Sequence, residues 1–426
     1  TDASPRRARA YTSSTSSRGS APRSAWLWSV DVAPMPLKKA RRFSIAANDS
    51  ITIPQYLTNR FLSKNKSLQI LSAIIFLVAY TIYAASSIKA CGTLFNTVMD
   101  IDPTVAMYIA AFIIVAYTFL GGFSAVCWTD FFQGMIMLAA LLIAPLFALA
   151  LAKAGDGAAT GAALPDGFFN FFTTPQDIIS GLGWGLGYFG MPHIIIRFMS
   201  LKSEKELRKS SVIGISWTTI ILIMSALTAI AGRLYLGEIE DSSTVFITMV
   251  RRIFPALVSG LLLSAILSAA MSTADSQLLA ASSAFASDVY KPVIRKKASD
   301  SEMLWAGRIV VIVIAVVALI IASDPNSGSI MGLVENAWGV FGAAFGPVIL
   351  LSLFWKRLTF GGTVAGIAVG AAVDILWLVF LSSTDIYEIV PGFAAGLLAA
   401  VVVSLLSKGP GKDVEDLFDR AVDLKS

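Results

Sequence analysis

Gly181–Met199 reads GLGWGLGYFGMPHIIIRFM, and this stretch decides the fold. It is apolar enough for the interior of a bilayer. Yet five glycines fall within residues 181–190 and Pro192 follows, which weakens a helix severely. Inside a bilayer the freed N–H and carbonyl groups must still find partners. Interrupted helices at membrane depth therefore line polar cavities, and secondary transporters bind substrates and ions at such breaks. The competing reading is close packing through small residues, which asks for glycines four apart rather than alternating. Gly362, Gly366 and Gly370 show that packing pattern, and they are assigned no chemistry.

The residues on either side of the break place it in a membrane. Of 426 residues, 14% are charged and 56% hydrophobic, whereas soluble chains carry about 25% charge. Such a chain cannot cover a soluble surface with polar groups, so it is an all-α polytopic membrane protein. Runs long enough to span occur at 68–96, 104–121, 129–152, 177–199, 212–235, 255–286, 305–323, 331–355, 360–382 and 388–407, ten in all. They are uniformly apolar and do not alternate, which excludes barrel strands. The sixth is long enough to tilt or bend.

If the first run starts inside, the inner loops hold twelve Lys and Arg residues, among them Lys202, Arg208, Lys291, Arg295 and Lys356. The outer loops hold four: Lys153, Arg233, Arg251 and Arg252. This asymmetry places both termini in the cytoplasm of a cell with the protein in its plasma membrane. The inner turn 122–128 carries no Lys or Arg. The net charge of +5 is used for orientation and does not point to nucleic acid. Cys91, Cys127 and the single His193 make neither a disulfide framework nor a zinc site.

Residues 1–42 are of another character. Positions 1–36 hold eight serines and five arginines, with Asp2 and Asp31 the only acids. A transit peptide, a disordered basic tail, and a stretch that is not native sequence all produce this look. Asn48–Phe61 reads as a structured inner loop, 43–407 as the membrane domain and 408–426 as a cytoplasmic tail.

Within the spans, Trp184, Tyr188 and Pro192 recur every fourth residue and share a face of any helical remnant. An indole and a phenol beside unwound backbone suit a small zwitterion with an apolar body. An aromatic packing stripe is the plainer alternative. The sixth run carries Ser268-Ala-Ala-Met-Ser-Thr-Ala-Asp-Ser276. Sodium is a hard cation that wants oxygen ligands, and the Ala269 carbonyl with the Ser272 and Thr273 hydroxyls lies on one face. Taken alone, those hydroxyls simply bond back to the preceding turn. Asp275 is different, because an intramembrane carboxylate is functional by default. Asp130 opens its run either as a helix-start acid or on an ion path. Arg197 is a gate or an inner anchor, and Lys89 snorkels near the outer end. His193 orients the broken helix and has no partner that would make a catalytic array.

Five segments together resemble the sodium:solute symporter family, most closely its proline-transporting branch. They are NDSITIPQYLTNRF (48–61), GGFSAVCWTDFFQG (121–134), WGLGYFGMPHIIIRFM (184–199), SAAMSTADSQLLAASSAFASDVYK (268–291) and GVFGAAFGP (339–347). The resemblance runs from Phe43 to Lys412. It implies two inverted five-helix repeats working by alternating access, with sodium as the coupling ion. It implies that Ala269, Ser272 and Thr273 form half of the sodium site. It also implies that Trp184, Tyr188 and Pro192 line the proline site and that Asp130 and Arg197 serve sodium-coupled uptake. Met191 departs from the family's glutamine. The first run matches the third helix of the first repeat, so the family's first three helices are expected to be missing.

Sodium-coupled uptake of proline is therefore the leading expectation. A symporter for pantothenate or another amino acid, and a truncated product without activity, are its rivals. A sensor would need a signalling module longer than residues 408–426. A membrane enzyme would need paired histidines, a metal cluster or a nucleophile–base pair, and the spans offer none.

Overall fold

The computed structural model describes residue 50 and residues 52–155, 167–170, 174–199 and 204–423. The Ser- and Arg-rich beginning thus lies outside the described residues. Within them the regular structure is helical. In chain order the helices are α1 (Ile53–Arg60), α2 (Ser67–Met99), α3 (Pro103–Lys153), α4 (Pro175–Gly187), α5 (Pro192–Met199), α6 (Glu204–Leu236) and α7 (Val245–Ile253). There follow α8 (Ala256–Ala284), α9 (Asp300–Ser323), α10 (Ile330–Phe354), α11 (Phe360–Phe380), α12 (Ile389–Leu406) and α13 (Lys412–Asp423).

Nine stretches among the described residues are long and apolar enough to cross a membrane. They are α2, two parts of α3, most of α6, α8 with its continuation to Ile294, and α9 to α12. The tenth expected run is the broken pair α4–α5. Beyond Ala284, α8 widens into a π-helix, Phe285–Ile294, that contains Pro292.

α3 keeps helical backbone through the turn expected at 122–128, 51 residues in all. Drawn straight it would reach about 76 Å, far beyond the ~30 Å hydrocarbon core. Its neighbours show that it doubles back instead. Ala110 clusters with Ala270, and Tyr117 bonds Asp275, in the same sense along α8. Asp130 bonds Ser276, and Phe147 meets Phe254 just before α8, in the opposite sense. Two antiparallel spans result, as the hydropathy required, with the reversal between Tyr117 and Asp130.

The core is built on α2 and α10. The Phe76 ring centroid lies 4.9 Å from Phe345 and 5.8 Å from Phe341, and Tyr80 lies 4.7 Å from Phe341. A helix with apolar residues all round suits such a central place. α11 and α12 lie close together along the glycine stripe. A Cβ on Gly366 would come within 2.9 Å of the Ala400 Cβ and 3.1 Å of the Gly396 carbonyl. The stripe is packing, as its spacing implied.

The ends of the membrane domain carry two further helices. The segment expected as a loop at 48–61 contains α1, with Pro54 in its first turn and the Thr52 hydroxyl accepting from the Gln55 N–H. The expected tail contains α13, which packs on α1. Arg60 is buried and donates to the Ser352 and Val414 carbonyls at 3.2 and 3.3 Å, with its guanidinium 5.0 Å from the Phe418 ring. Lys356 holds Asp419 at 2.6 Å on the far side of α13.

Candidate functional site

α4 begins at a capping box, in which Thr174 and Asp177 satisfy each other's backbone N–H groups. It stops at Gly187, and α5 does not start until Pro192. Between them only a tight turn persists, with the Gly190 and Met191 N–H groups sharing the Gly187 carbonyl at 2.9 and 3.1 Å. Pro192 supplies no N–H to the Tyr188 carbonyl. The helix is broken where the composition says it should be.

The alternating glycines resolve into two stripes, each spaced by four. Gly183 and Gly187 face neighbours: a Cβ at Gly183 would lie 2.7 Å from Val390, and one at Gly187 would collide with the Trp338 indole. Gly181 and Gly185 face open space. Close packing, expected to be absent here, therefore explains half of these glycines. Gly190 adds a close approach to the Phe341 carbonyl and Gly342 Cα.

The break is walled by aromatic rings from three elements. Trp184 lies 5.8 Å from Trp338 and 5.4 Å from Tyr387 between ring centroids, and Tyr188 meets Trp338 edge-on at 5.0 Å. The Trp338 indole N–H donates to the Trp184 carbonyl at 3.1 Å, which places this ring against the broken helix. Tyr387 donates its hydroxyl to the Glu335 carbonyl and its N–H is held by the Ser180 hydroxyl. Burial, with Glu388 and Asp374 close by, holds the Tyr387 phenol well above its usual range, so it stays a neutral donor. Trp338 and Tyr387 were not singled out from the sequence. Trp338 directly precedes the GVFGAAFGP motif, a signal that could have found it, whereas nothing local distinguishes Tyr387.

Trp184 and Tyr188 thus share a wall, as expected. Pro192 is buried at the start of α5, and Met191 is fully buried in the main core. The His193 ring lies 6.3 Å from Tyr80. Arg197 belongs to α5, and its side chain lies outside the described residues. Lys89, expected to snorkel, instead donates to the Ser327 hydroxyl and the Gly328 carbonyl at 2.9 and 2.6 Å, tying α2 to the loop after α9.

α8 presents the oxygens. Ser272 and Thr273 both donate to the Ala269 carbonyl, at 3.2 and 2.8 Å. This is the back-bonding expected of hydroxyls in a membrane helix. It also gathers three oxygens in one small volume, with hydroxyl lone pairs still available to a cation. One turn further, Asp275 is fully buried and accepts from the Tyr117 hydroxyl at 2.8 Å. Asp130, also buried, accepts from Ser276 at 3.2 Å. The doubling back of α3 is what brings Tyr117 and Asp130 to one level of α8. Spacing along one helix could not show this, because it would set the two about 20 Å apart. α5, the second half of the broken helix, packs on α8, the helix that carries these oxygens.

Comparison with known proteins agrees with this geometry. A family model described as the sodium:solute symporter family matches residues 35–370. The high-affinity proline transporter PutP of Bacillus subtilis is 42% identical over 409 residues, covering 94% of this chain and 85% of that protein. The sodium/proline symporter of Haemophilus influenzae is 42% identical over 402 residues, 90% of this chain and 80% of that one. A solved Na+-coupled sialic acid symporter, in a substrate-bound outward-open state, shares the fold. Its TM-score is 0.67 at 20% identity, over 90% of this chain and 86% of that chain.

Proposed function

The chain belongs to the sodium:solute symporter family, and on that premise we propose that it takes up proline together with sodium across the plasma membrane by alternating access. It is a transporter and not an enzyme. Both termini face the cytoplasm in this reading, as the Lys and Arg asymmetry of the loops requires. Proline is held at the α4–α5 break. Trp184, Tyr188, Trp338 and Tyr387 wall its apolar ring, and the backbone freed before Pro192 meets its charged ends. Sodium is held by the Ala269 carbonyl with Ser272 and Thr273, displacing the two hydroxyl protons now turned to that carbonyl. Asp130 and Asp275 carry the ion's charge along α8, and Arg197 gates the end of α5. The observation that carries this reading is the hydroxyl-and-carbonyl cluster of α8 beside a helix broken in the membrane. Proline, rather than pantothenate, is supported by the substrates named for the relatives of about 40% identity.

Ser272→Ala and Thr273→Ala test the ion site. Each removes a contact to a charge worth about 1.5–3 kcal/mol. The sodium concentration for half-maximal proline uptake into membrane vesicles should therefore rise roughly ten- to a hundredfold. Proline affinity at saturating sodium should change far less. Unchanged sodium dependence in both variants would remove the assignment. Competition by pantothenate in place of proline would move the chain to another substrate.

A further inference from the structure

Behind the aromatic wall lies a second set of charged groups that neither substrate nor sodium accounts for. Asp374 of α11 is fully buried, and Glu388, which precedes α12, is 8% exposed. Among the described residues, neither Asp374 carboxylate oxygen has a hydrogen-bond partner, and the same holds for Oε1 of Glu388. Both side chains point to one place. The Cβ that Gly339 lacks would lie 3.0 Å from Oδ1 of Asp374 and 3.3 Å from Oε1 of Glu388. Glycine on α10 thus leaves a small space that two carboxylates face from two other elements.

Among the described residues no base answers them. The titratable groups that reach the pair are Glu335 from α10, Tyr387 from the loop before α12 and, through Tyr387, Tyr83 from α2. α4, which packs on α10 and α12, brings only Asp177, already held in its capping box. Two carboxylates so placed do not both ionise, and an unpaired buried charge costs far more than a neutral acid. The occupant is therefore a cation. Hard metal cations take about six oxygens when stripped of water, and the space offers three unpartnered ones. A proton needs one or two.

We propose that Asp374 and Glu388 form a coupled carboxylate pair that carries one proton at neutral pH, one residue behind both Trp338 and Tyr387. Gly339 follows Trp338 and Glu388 follows Tyr387, so the charge of the pair bears directly on the two rings that meet Trp184. Loss of that proton places two like charges against each other and strains the wall of the break. The pair is a proton site separate from the α8 oxygens.

Infrared difference spectroscopy of the whole chain in liposomes tests this through the C=O band of a protonated carboxyl. The band should be present at neutral pH and vanish on alkaline titration. In Asp374→Asn, and separately in Glu388→Gln, the remaining acid loses its like-charged neighbour. Its band should then vanish at least about one pH unit earlier, a tenfold change in proton affinity. The two near-isosteric variants serve as duplicates, so one that does not accumulate leaves the other to decide. Three results overturn the proposal: no band assignable to the pair in the parent, identical titration in parent and variants, or loss of the band when sodium replaces choline at neutral pH. The last would make the occupant a metal ion. None of these readouts requires transport, so failure of proline uptake leaves the result standing.

Discussion

α4 and α11 are both glycine-rich membrane helices, and their glycines work to opposite ends. In α11, Gly362, Gly366 and Gly370 form one stripe, and each meets backbone or small side chains of α10 or α12. The rest of α11 keeps its side chains and stays helical to Phe380. In α4, glycine occupies both faces: Gly183 and Gly187 are packed, Gly181 and Gly185 are bare. A single stripe permits close approach while the helix remains intact. Two stripes leave too few side chains to hold the helix, and each interior glycine costs about 1 kcal/mol relative to alanine. Followed by a proline, such a helix ends. The same residue type thus builds a scaffold in one place and a helix break in another, and spacing decides which.

The comparison can be broken by substitution, and the largest effect is expected in α11. Alanine at Gly370 drives a Cβ into the Ala343 carbonyl, backbone against backbone, where no rotamer change can relieve it. Gly370→Ala should destabilise the protein by about 3 kcal/mol, at the upper end of overpacking effects. Thermal unfolding of the detergent-solubilised protein measures this, and a variant as stable as the parent would mean that the stripe does not set the α10–α11 distance. Gly187→Ala comes next. Its Cβ meets the Trp338 indole, a side chain that can shift, so about 1–2 kcal/mol of stability should be lost. Because Trp338 walls the break, half-saturating proline should rise roughly tenfold at the same time. Loss of stability with unchanged proline affinity would separate that ring from the substrate. The smallest effect belongs to Gly185→Ala, which meets nothing within 4 Å. It should raise stability by up to about 1 kcal/mol and leave proline affinity unchanged. A weaker protein there would show that the bare face is covered by something.

Much of the site was legible because its chemistry is local. The break needs only glycine density and a following proline. The proposed sodium half-site needs only a carbonyl and hydroxyls at i, i+3 and i+4, a spacing that one helix sets by itself. What was missed is non-local in every case. Trp338 lies more than 150 residues after Trp184 and joins it through a single N–H bond to a backbone carbonyl. Tyr387 sits in a short loop, and Asp374 is one acid in an apolar helix that only the packing joins to Gly339 and Glu388. The structured inner segment expected at 48–61 likewise owes its helix to non-local contacts. Its helix, α1, is only eight residues long, and its face of Ile53, Tyr56, Leu57 and Arg60 is held by burial under α13 and α10.

The sequence by itself determined the membrane class, nine of the spans, the break at 188–191 and the carbonyl-and-hydroxyl face of α8. Each of these follows from hydrophobic length or from side-chain chemistry repeated at helical spacing, and neither depends on a partner. Only the tertiary structure decided which residues the reversal in α3 brings together, setting Tyr117 and Asp130 at one level of α8. It alone decided that three elements share an aromatic wall and that two acids face one glycine. The physical reason is the same throughout. Within a helix, spacing fixes geometry through one hydrogen-bond pattern, but contact between helices depends on which small residues let two backbones approach, and that is settled only when all of them are packed together.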